Sequence, residues 1–239
     1  MPPEATQINL ERSQKLNQAA KESLAAIANC LKISQLNQEI SAAEVQQQRG
    51  SFSQEVLDTL LQNAETKRMH IQDKNMSTFL STVDAVDHVP DLRLVDDAAI
   101  EATKTGLIRD ENYTQIKEAI ERLKIELQDR NAQLIIAELV TLSSCTAVRD
   151  SLKLLPIAQN SELIRAENLP AINQQAETHS KNLQDKKTDE YTKRIQTAKL
   201  PQDLLSLQNQ IITDYEQVEI TKEQYIRLLE EIRNHPVVP

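Results

Sequence analysis

The chain repeats two motifs at an interval of 56 residues. The first motif starts at four equivalent positions, of which two hold the only glycines of the 239-residue chain: Gly50, Gly106, Glu162 and Val218. The second motif reads IQDKN, LQDRN and LQDKK, and starts at Ile71, Leu127 and Leu183. Two unrelated motifs in one register indicate stacked supersecondary units of fixed length.

The composition indicates that these units are helical. Two glycines are too few for the turns and bulges of a sheet, whereas long helices need none. Aromatic residues make up only 3% of the chain and Trp is absent, which suits helix-on-helix packing by Leu, Ile and Ala. We therefore expect an all-α fold with more than about 70% helix and no sheet. The predicted architecture is a solenoid-like stack of helical hairpins with coiled-coil-like seams.

The register divides residues 1–239 into one domain of four repeats. A capping helix over about 9–31, with Leu16 on its apolar face, precedes repeats at about 32–87, 88–143, 144–199 and 200–239. Each repeat is expected to contain a short helix, a glycine turn and a long helix of about 33 residues. Pro156 is expected to cut the third short helix. The QDKN segment is either part of a continuous long helix, which we favour, or a joint between two helices.

The glycine motif is predicted to be the turn between the two helices. Gly50 and Gly106 follow a helix end, where the left-handed conformation is common and glycine carries no Cβ penalty. Because Glu162 and Val218 replace glycine, we expect a different turn in the third and fourth repeats. The apolar residue two positions after each is predicted to plug the turn into the core: Phe52, Ile108, Ile164 and Ile220.

Two sets of acidic residues recur with the repeat. One glutamate follows each turn, at Glu55, Glu111, Glu167 and Glu223. We interpret these as first-turn residues facing the positive end of the helix dipole, and a row lining a groove is the alternative. The QDKN motif supplies Asp73, Asp129 and Asp185, which form either a polar joint or an exposed contact row. Asn131 is expected to turn towards a neighbouring helix.

No motif for a cofactor, a metal or catalysis is present. The four histidines, His70, His88, His179 and His235, share no repeat position, and Cys30 and Cys145 belong to no metal or redox motif. The chain contains neither of the glycine-rich phosphate-binding motifs, GxxxxGK[ST] and GxGxxG. We expect no cofactor and no metal, and we leave open whether the protein is an enzyme.

The net charge of −9 and the pI near 5.1 disfavour nucleic acid and anionic lipid as partners. No apolar run approaches the roughly 18 residues of a membrane helix. The start of the chain has no basic or apolar signal region, and the cysteines are expected to be free thiols. These features favour a cytoplasmic location.

Tyr215 is the one aromatic residue outside the predicted core positions. It aligns with Gln47, Thr103 and Gln159, which we expect to be exposed. Tyr215 is therefore a candidate contact residue, with Asp214 and Glu216 as an acidic rim suited to a basic partner. The alternative is that Tyr215 packs on the last helix and closes the stack.

The last residues, LLEEIRNHPVVP, contain an acidic pair and an apolar tail: Glu230, Glu231, Val237 and Val238. This ending resembles the C-terminal translocation signals of type IV secreted bacterial effectors. The resemblance covers about ten residues. It implies secretion into a host cell without a Sec signal.

Three functions are compatible with these patterns. Helical arrays offer long surfaces and usually bind proteins, so the first is a non-catalytic scaffold for a protein partner, with oligomerisation through helical faces possible. The second is a type IV secreted effector that acts on a host protein. The third is an enzyme with an unrecognised site between helices. Fold alone does not decide among them.

Overall fold

The computed structural model describes residues 18–236. Helices account for 82% of this part of the chain, and it contains no strand. The all-α prediction is therefore confirmed. Residues 1–17 and 237–239, and with them Leu16, Val237 and Val238, lie outside the described residues.

Short and long helices alternate along the described chain. The first, α1, covers residues 18–29 of the described chain. The helices that follow are α2 (Ile33–Gln48), α3 (Gln54–Asp84), α4 (Val89–Lys104), α5 (Asp110–Leu139), α6 (Cys145–Leu152), α7 (Leu155–Asn160), α8 (Leu169–Thr197), α9 (Pro201–Glu216) and α10 (Lys222–Arg233). A 3-10 helix, Ala166–Asn168, leads into α8.

The helix bounds follow the register of the sequence motifs. Short helices begin at residues 33, 89, 145 and 201, and the helices after each turn begin at residues 54, 110, 166 and 222. The long helices α3, α5 and α8 have 31, 30 and 29 residues and run without a break through the QDKN segment. The alternative of a joint at this segment is therefore wrong. Pro156 lies in the first turn of α7, where proline is tolerated, and the third short helix is split into α6 and α7 just before it.

The same turn ends α2, α4, α7 and α9. The second residue after each helix end has a left-handed backbone, with φ of 74° at Gly50, 71° at Gly106, 56° at Glu162 and 63° at Val218. In the second copy the N–H of Leu107 bonds to the carbonyl of Ala102 at 2.8 Å, and the N–H of Gly106 to that of Thr103 at 2.9 Å. This pair of bonds is the Schellman motif. The equivalent pairs occur in the other three copies.

The expectation of a different turn in the third and fourth repeats is therefore wrong. Two hydrogen bonds to the last turn of the helix hold Glu162 and Val218 in the conformation that glycine adopts freely. The apolar plug residues add to this, since Phe52, Ile108, Ile164 and Ile220 are all buried. Tertiary contacts thus outweigh the cost of a side chain at positive φ, which is about 1–2 kcal/mol.

The chain divides into two compact units, Met1–Leu123 and Lys124–Pro239, and the division falls within α5. In the first unit α2 packs on α3, around a core that includes Ile27, Leu36, Leu60 and Ile71. Two clusters of buried residues lie in the described part of the second unit. One gathers Leu139, Val148, Ile164 and Ile172, and the other gathers Ile195, Leu207, Ile211 and Leu228.

Among residues 18–236, none of the helices combines the length and hydropathy that a bilayer span requires.

The left-handed positions make a matched pair of substitutions informative. Gly106→Val should lower the free energy of unfolding by about 1 kcal/mol or more, because valine is strained at positive φ. Val218→Gly should raise it by up to about 1 kcal/mol, since relief of strain exceeds the added entropy of the unfolded chain. Urea denaturation measures both. A loss of less than a few tenths of a kcal/mol for Gly106→Val would show that the turn is not strained there.

Candidate functional site

The glutamine and asparagine of the QDKN motif hold the turn that follows the next short helix. Gln72 Nε2 donates to the carbonyl of Gly106 at 3.0 Å. Asn75 Nδ2 donates to the carbonyl of Leu107 at 2.9 Å. The equivalent bonds in the second unit join Gln128 to Glu162 at 2.7 Å, Asn131 to Leu163 at 2.9 Å and Gln184 to Val218 at 3.2 Å. We call this arrangement the turn clamp.

The aspartate of the motif completes the turn clamp. Asp73 accepts hydrogen bonds from Asn112 Nδ2 at 3.0 Å and from the guanidinium of Arg109. The bond from Asn112, together with that from Arg109, lowers the pKa of Asp73. Asp129 accepts from Asn168 at 2.8 Å and Arg165 at 2.6 Å, and these bonds lower its pKa in the same way. Each carboxylate is thus bonded to the segment after the next turn.

The third copy of the turn clamp is weaker than the other two. Asp185 accepts from Gln224 Nε2 at 2.8 Å, but Thr221 stands where the other copies have an arginine. Asn131, which we expected to face a neighbouring helix, instead reaches a turn carbonyl. The reason is that carbonyls outside the helix need a hydrogen-bond partner.

The repeated glutamates lie in first turns, at the surface. Glu55, Glu111 and Glu223 are exposed at the starts of α3, α5 and α10, and Glu167 is exposed in the 3-10 helix before α8. A carboxylate in this place interacts favourably with the helix dipole. Each of these residues therefore has a local electrostatic role at its own helix start.

Tyr215 lies against the core of the second unit. Its ring stacks on that of Tyr225, with centroids 4.4 Å apart and an interplanar angle of 15°, and its side chain packs on a buried cluster. Asp214 accepts from Tyr191 and pairs with Lys187, so only Glu216 of the proposed rim is exposed.

The aligned residues Gln47, Thr103 and Gln159 are half-buried, so the expectation that this repeat position is exposed is wrong. This position lies in the last turn of the short helix, and its backbone carbonyl accepts a hydrogen bond from the left-handed residue of the turn that follows.

A buried carboxylate, Glu219, links the turn after α9 to the start of α6. Its two oxygens accept from the backbone N–H groups of Cys145 and Thr146, both at 3.0 Å, and its exposed fraction is 5%. Lys187 lies 3.8 Å from Glu219 and 3.1 Å from Asp214.

Burial alone would raise the pKa of Glu219, but the hydrogen bonds from Thr146 and Cys145 and the charge of Lys187 outweigh it, and the pKa is lowered. The pKa of Tyr191, which bonds to Asp214 in the same cluster, is shifted in the opposite direction. Burial, then the hydrogen bond to Asp214 at 2.5 Å, raises the pKa of Tyr191. We call the cluster of Glu219, Lys187, Asp214 and Tyr191 the ionic brace. It joins α8, α9 and the start of α6.

Sequence reasoning missed this brace, although a signal for it exists. Glu219 occupies the position of Ser51, Leu107 and Leu163, and Lys187 occupies that of Asn75 and Asn131. A new acid and a new base that depart together from the repeat pattern point to an ion pair.

An apolar groove lies in the first unit. It has a volume of about 670 Å³ and is bordered by the start of α2, the middle of α3 and the second half of α4. Its apolar lining comes from Leu31, Ile33, Ile71, Phe79, Ala98, Ala102 and Leu107. We call it the unit-1 groove. Leu31 is 73% exposed and Leu107 is 44% exposed, so large apolar side chains face solvent at its edge.

The polar residues of the unit-1 groove offer little chemistry. They are Lys32, Ser34, Asn75, Thr78, Glu101 and Thr105. The side chain of Asn75 donates to the carbonyl of Leu107, and Glu101 pairs with the exposed Lys104 at 3.5 Å. Within the described residues, no three His, Cys, Asp or Glu side chains are grouped so as to hold a metal ion. Burial raises the pKa of the free thiols Cys30 and Cys145, which makes them poor nucleophiles.

The acidic pair of the C-terminal resemblance lies in α10. Glu231 pairs with Arg227 at 3.5 Å, whereas the apolar tail lies outside the described residues.

No protein-family model matches the chain, and searches of curated proteins and of solved structures found no similar protein.

The turn clamps should differ in strength. Asp129→Asn should lower stability at neutral pH more than Asp185→Asn, because Asp129 accepts from an arginine and Asp185 accepts from a neutral amide. The pKa of folded Asp129 is below its ordinary value, so its contribution is present above about pH 3.9 and is lost as pH falls through the folded pKa. Denaturation at pH 7 and at low pH tests this. Equal losses for the two variants would contradict the ranking.

Glu219→Gln should lower the free energy of unfolding by about 2 kcal/mol at neutral pH, because the charge-assisted bonds to Cys145 and Thr146 are weakened. The folded pKa of Glu219 is depressed, so its contribution exists above about pH 4.3 and disappears as pH falls through the lower folded value. Glu216→Gln, at an exposed site beside it, is the control. A difference between wild type and Glu219→Gln that persists unchanged at low pH would rule the brace out.

Proposed function

We propose that the protein is a non-catalytic scaffold that binds a segment of another protein in the unit-1 groove. In this proposal the four 56-residue repeats form a stack of helical hairpins. The recurrence of helix bounds, left-handed turns and turn clamps at equivalent positions supports the repeat. A rigid helical support is a suitable frame for a fixed binding surface.

The unit-1 groove is the observation that carries the proposal. Its floor is apolar, with Ile71 and Ala102 buried. Exposed Leu31 and Leu107 stand at its edge, and Leu94, one turn before Ala98 on α4, is 68% exposed. Exposed apolar side chains at the edge of an apolar groove mark a site of association.

The unit-1 groove is a better binding site than the surface at Tyr215. Tyr215 is already stacked on Tyr225, and Asp214 is already paired with Lys187. A partner would have to break these contacts before it could use either side chain. In the groove, by contrast, Leu31 and Ala98 are exposed and need no rearrangement.

The chemistry of the described residues favours binding over catalysis. The hydrogen-bonded carboxylates Asp73, Asp129 and Glu219 hold turns and helix ends together. They are structural partners of backbone and neighbouring side chains. No feature of residues 18–236 favours the enzyme or the secreted-effector alternative.

A photo-reactive amino acid at Ala98 should cross-link a protein in extracts of the cells that make this chain. The same group at Ala42, which is exposed in α2 at the equivalent repeat position, should not. The purified partner should bind wild type and lose about tenfold in affinity, or 1.4 kcal/mol, for Ala98→Trp, which fills the groove.

Tyr215→Ala is the second variant in this test, since it alters the other candidate surface. It should keep the affinity and lower the melting temperature. A folded Tyr215→Ala protein that loses the partner, with Ala98→Trp keeping it, would move the site to the fourth repeat. Absence of any adduct at Ala98 would contradict the proposal.

A further inference from the structure

The charges beside the unit-1 groove identify the kind of partner that fits it. We infer that the groove binds a basic amphipathic helix of another protein, with apolar side chains in the groove and Lys or Arg side chains along α4. This inference rests on the proposed function and adds the chemical class of the partner.

The shape of the groove suits a helix. Leu94, Ala98 and Glu101 of α4, and Thr105 just after it, follow steps of four, three and four, so they form one straight face. From Asp91 to Thr105 this face is about 21 Å long at 1.5 Å per residue. A partner helix of about four turns would lie along it and insert residues at i, i+3 or i+4, and i+7.

Carboxylates outnumber cations along α4. Helix α4 contains four carboxylates, Asp91, Asp96, Asp97 and Glu101, and two cations, Arg93 and Lys104. Asp96 accepts a hydrogen bond from the hydroxyl of Tyr113 at 3.1 Å. Asp91 and Glu101 are exposed and lie within about 60° of the groove-facing direction of α4, whereas the exposed Asp97 lies about 90° from it, at 100° per residue.

The basic residues nearby do not cancel this charge. Lys104 pairs with Glu101, but both side chains are about two-thirds exposed, and such pairs are worth little. Lys32 lies on the opposite border of the groove, at the start of α2. The α4 border is therefore acidic and the α2 border carries a single cation, which sets both the charge and the orientation of a bound helix.

A peptide selection on the full chain tests the inference while the natural partner is still unidentified. The probe is a phage-displayed library of 16-residue peptides, and the readout is the sequence of the enriched peptides and their affinity as synthetic peptides. Enriched peptides should combine apolar residues at helical spacing with several Lys or Arg. Their affinity should fall about tenfold with Ala98→Trp and with the double variant Asp91→Lys/Glu101→Lys, and it should fall as salt rises.

Matched controls separate the groove from general charge effects. Ala42→Trp adds the same bulk at the equivalent position of α2, and Glu118→Lys reverses an exposed charge on α5. Neither should change the affinity by more than about twofold. Circular dichroism and urea denaturation show which variants fold. If Ala98→Trp is unstable, Thr78→Trp takes its place, because Thr78 is another exposed residue of the groove.

The remaining outcomes overturn the inference in distinguishable ways. Enriched peptides without basic residues, blocked by Ala98→Trp but indifferent to charge reversal, would leave the proposed function standing and refute a basic partner. Self-association in sedimentation velocity that Ala98→Trp abolishes would identify a second copy as the occupant. No enrichment, or peptides indifferent to Ala98→Trp, would refute both the groove as a binding site and the basic helix.

Discussion

The left-handed residue after each short helix is the constraint on which the rest of the described structure depends. It reverses the chain within a few residues, so that the next helix begins four residues later. It also directs the plug residue two positions on into the core. Because two backbone bonds of the Schellman motif require this conformation, the turn persists where glycine is replaced by Glu162 and Val218.

The turn clamp explains how the chain tolerates that strain. The long helix before each of the last three turns donates side-chain hydrogen bonds to turn carbonyls that would otherwise be unpaired. In the fourth repeat Asp185 lacks an arginine partner, and the turn there holds the strained Val218. Glu219, in the same turn, provides a different anchor by capping α6. A weaker clamp and a new ionic brace thus occur in the same segment.

This use of polar groups bears on function. The repeated aspartates, glutamines and asparagines form hydrogen bonds with the turns and the segments after them. The aspartates of the first two turn clamps, Asp73 and Asp129, have lowered pKa values because they accept hydrogen bonds from amides and arginines. Side chains with structural partners are poor candidates for binding or catalysis. The apolar groove of the first unit is a different kind of feature, since exposed apolar surface is typical of sites of association.

The sequence by itself determined the helical class, the 56-residue register and the position of each turn, because helix formers, scarce glycine and two periodic motifs all act locally. It also placed Glu55 and its equivalents at helix starts. Only the tertiary structure decided that QDKN is a turn clamp, that Val218 is left-handed, that Tyr215 is stacked and that a groove opens beside Phe79. The turn clamp, the stacked tyrosine pair and the groove join residues some 10 to 76 positions apart, and such pairings depend on how helices pack, which a local pattern does not encode.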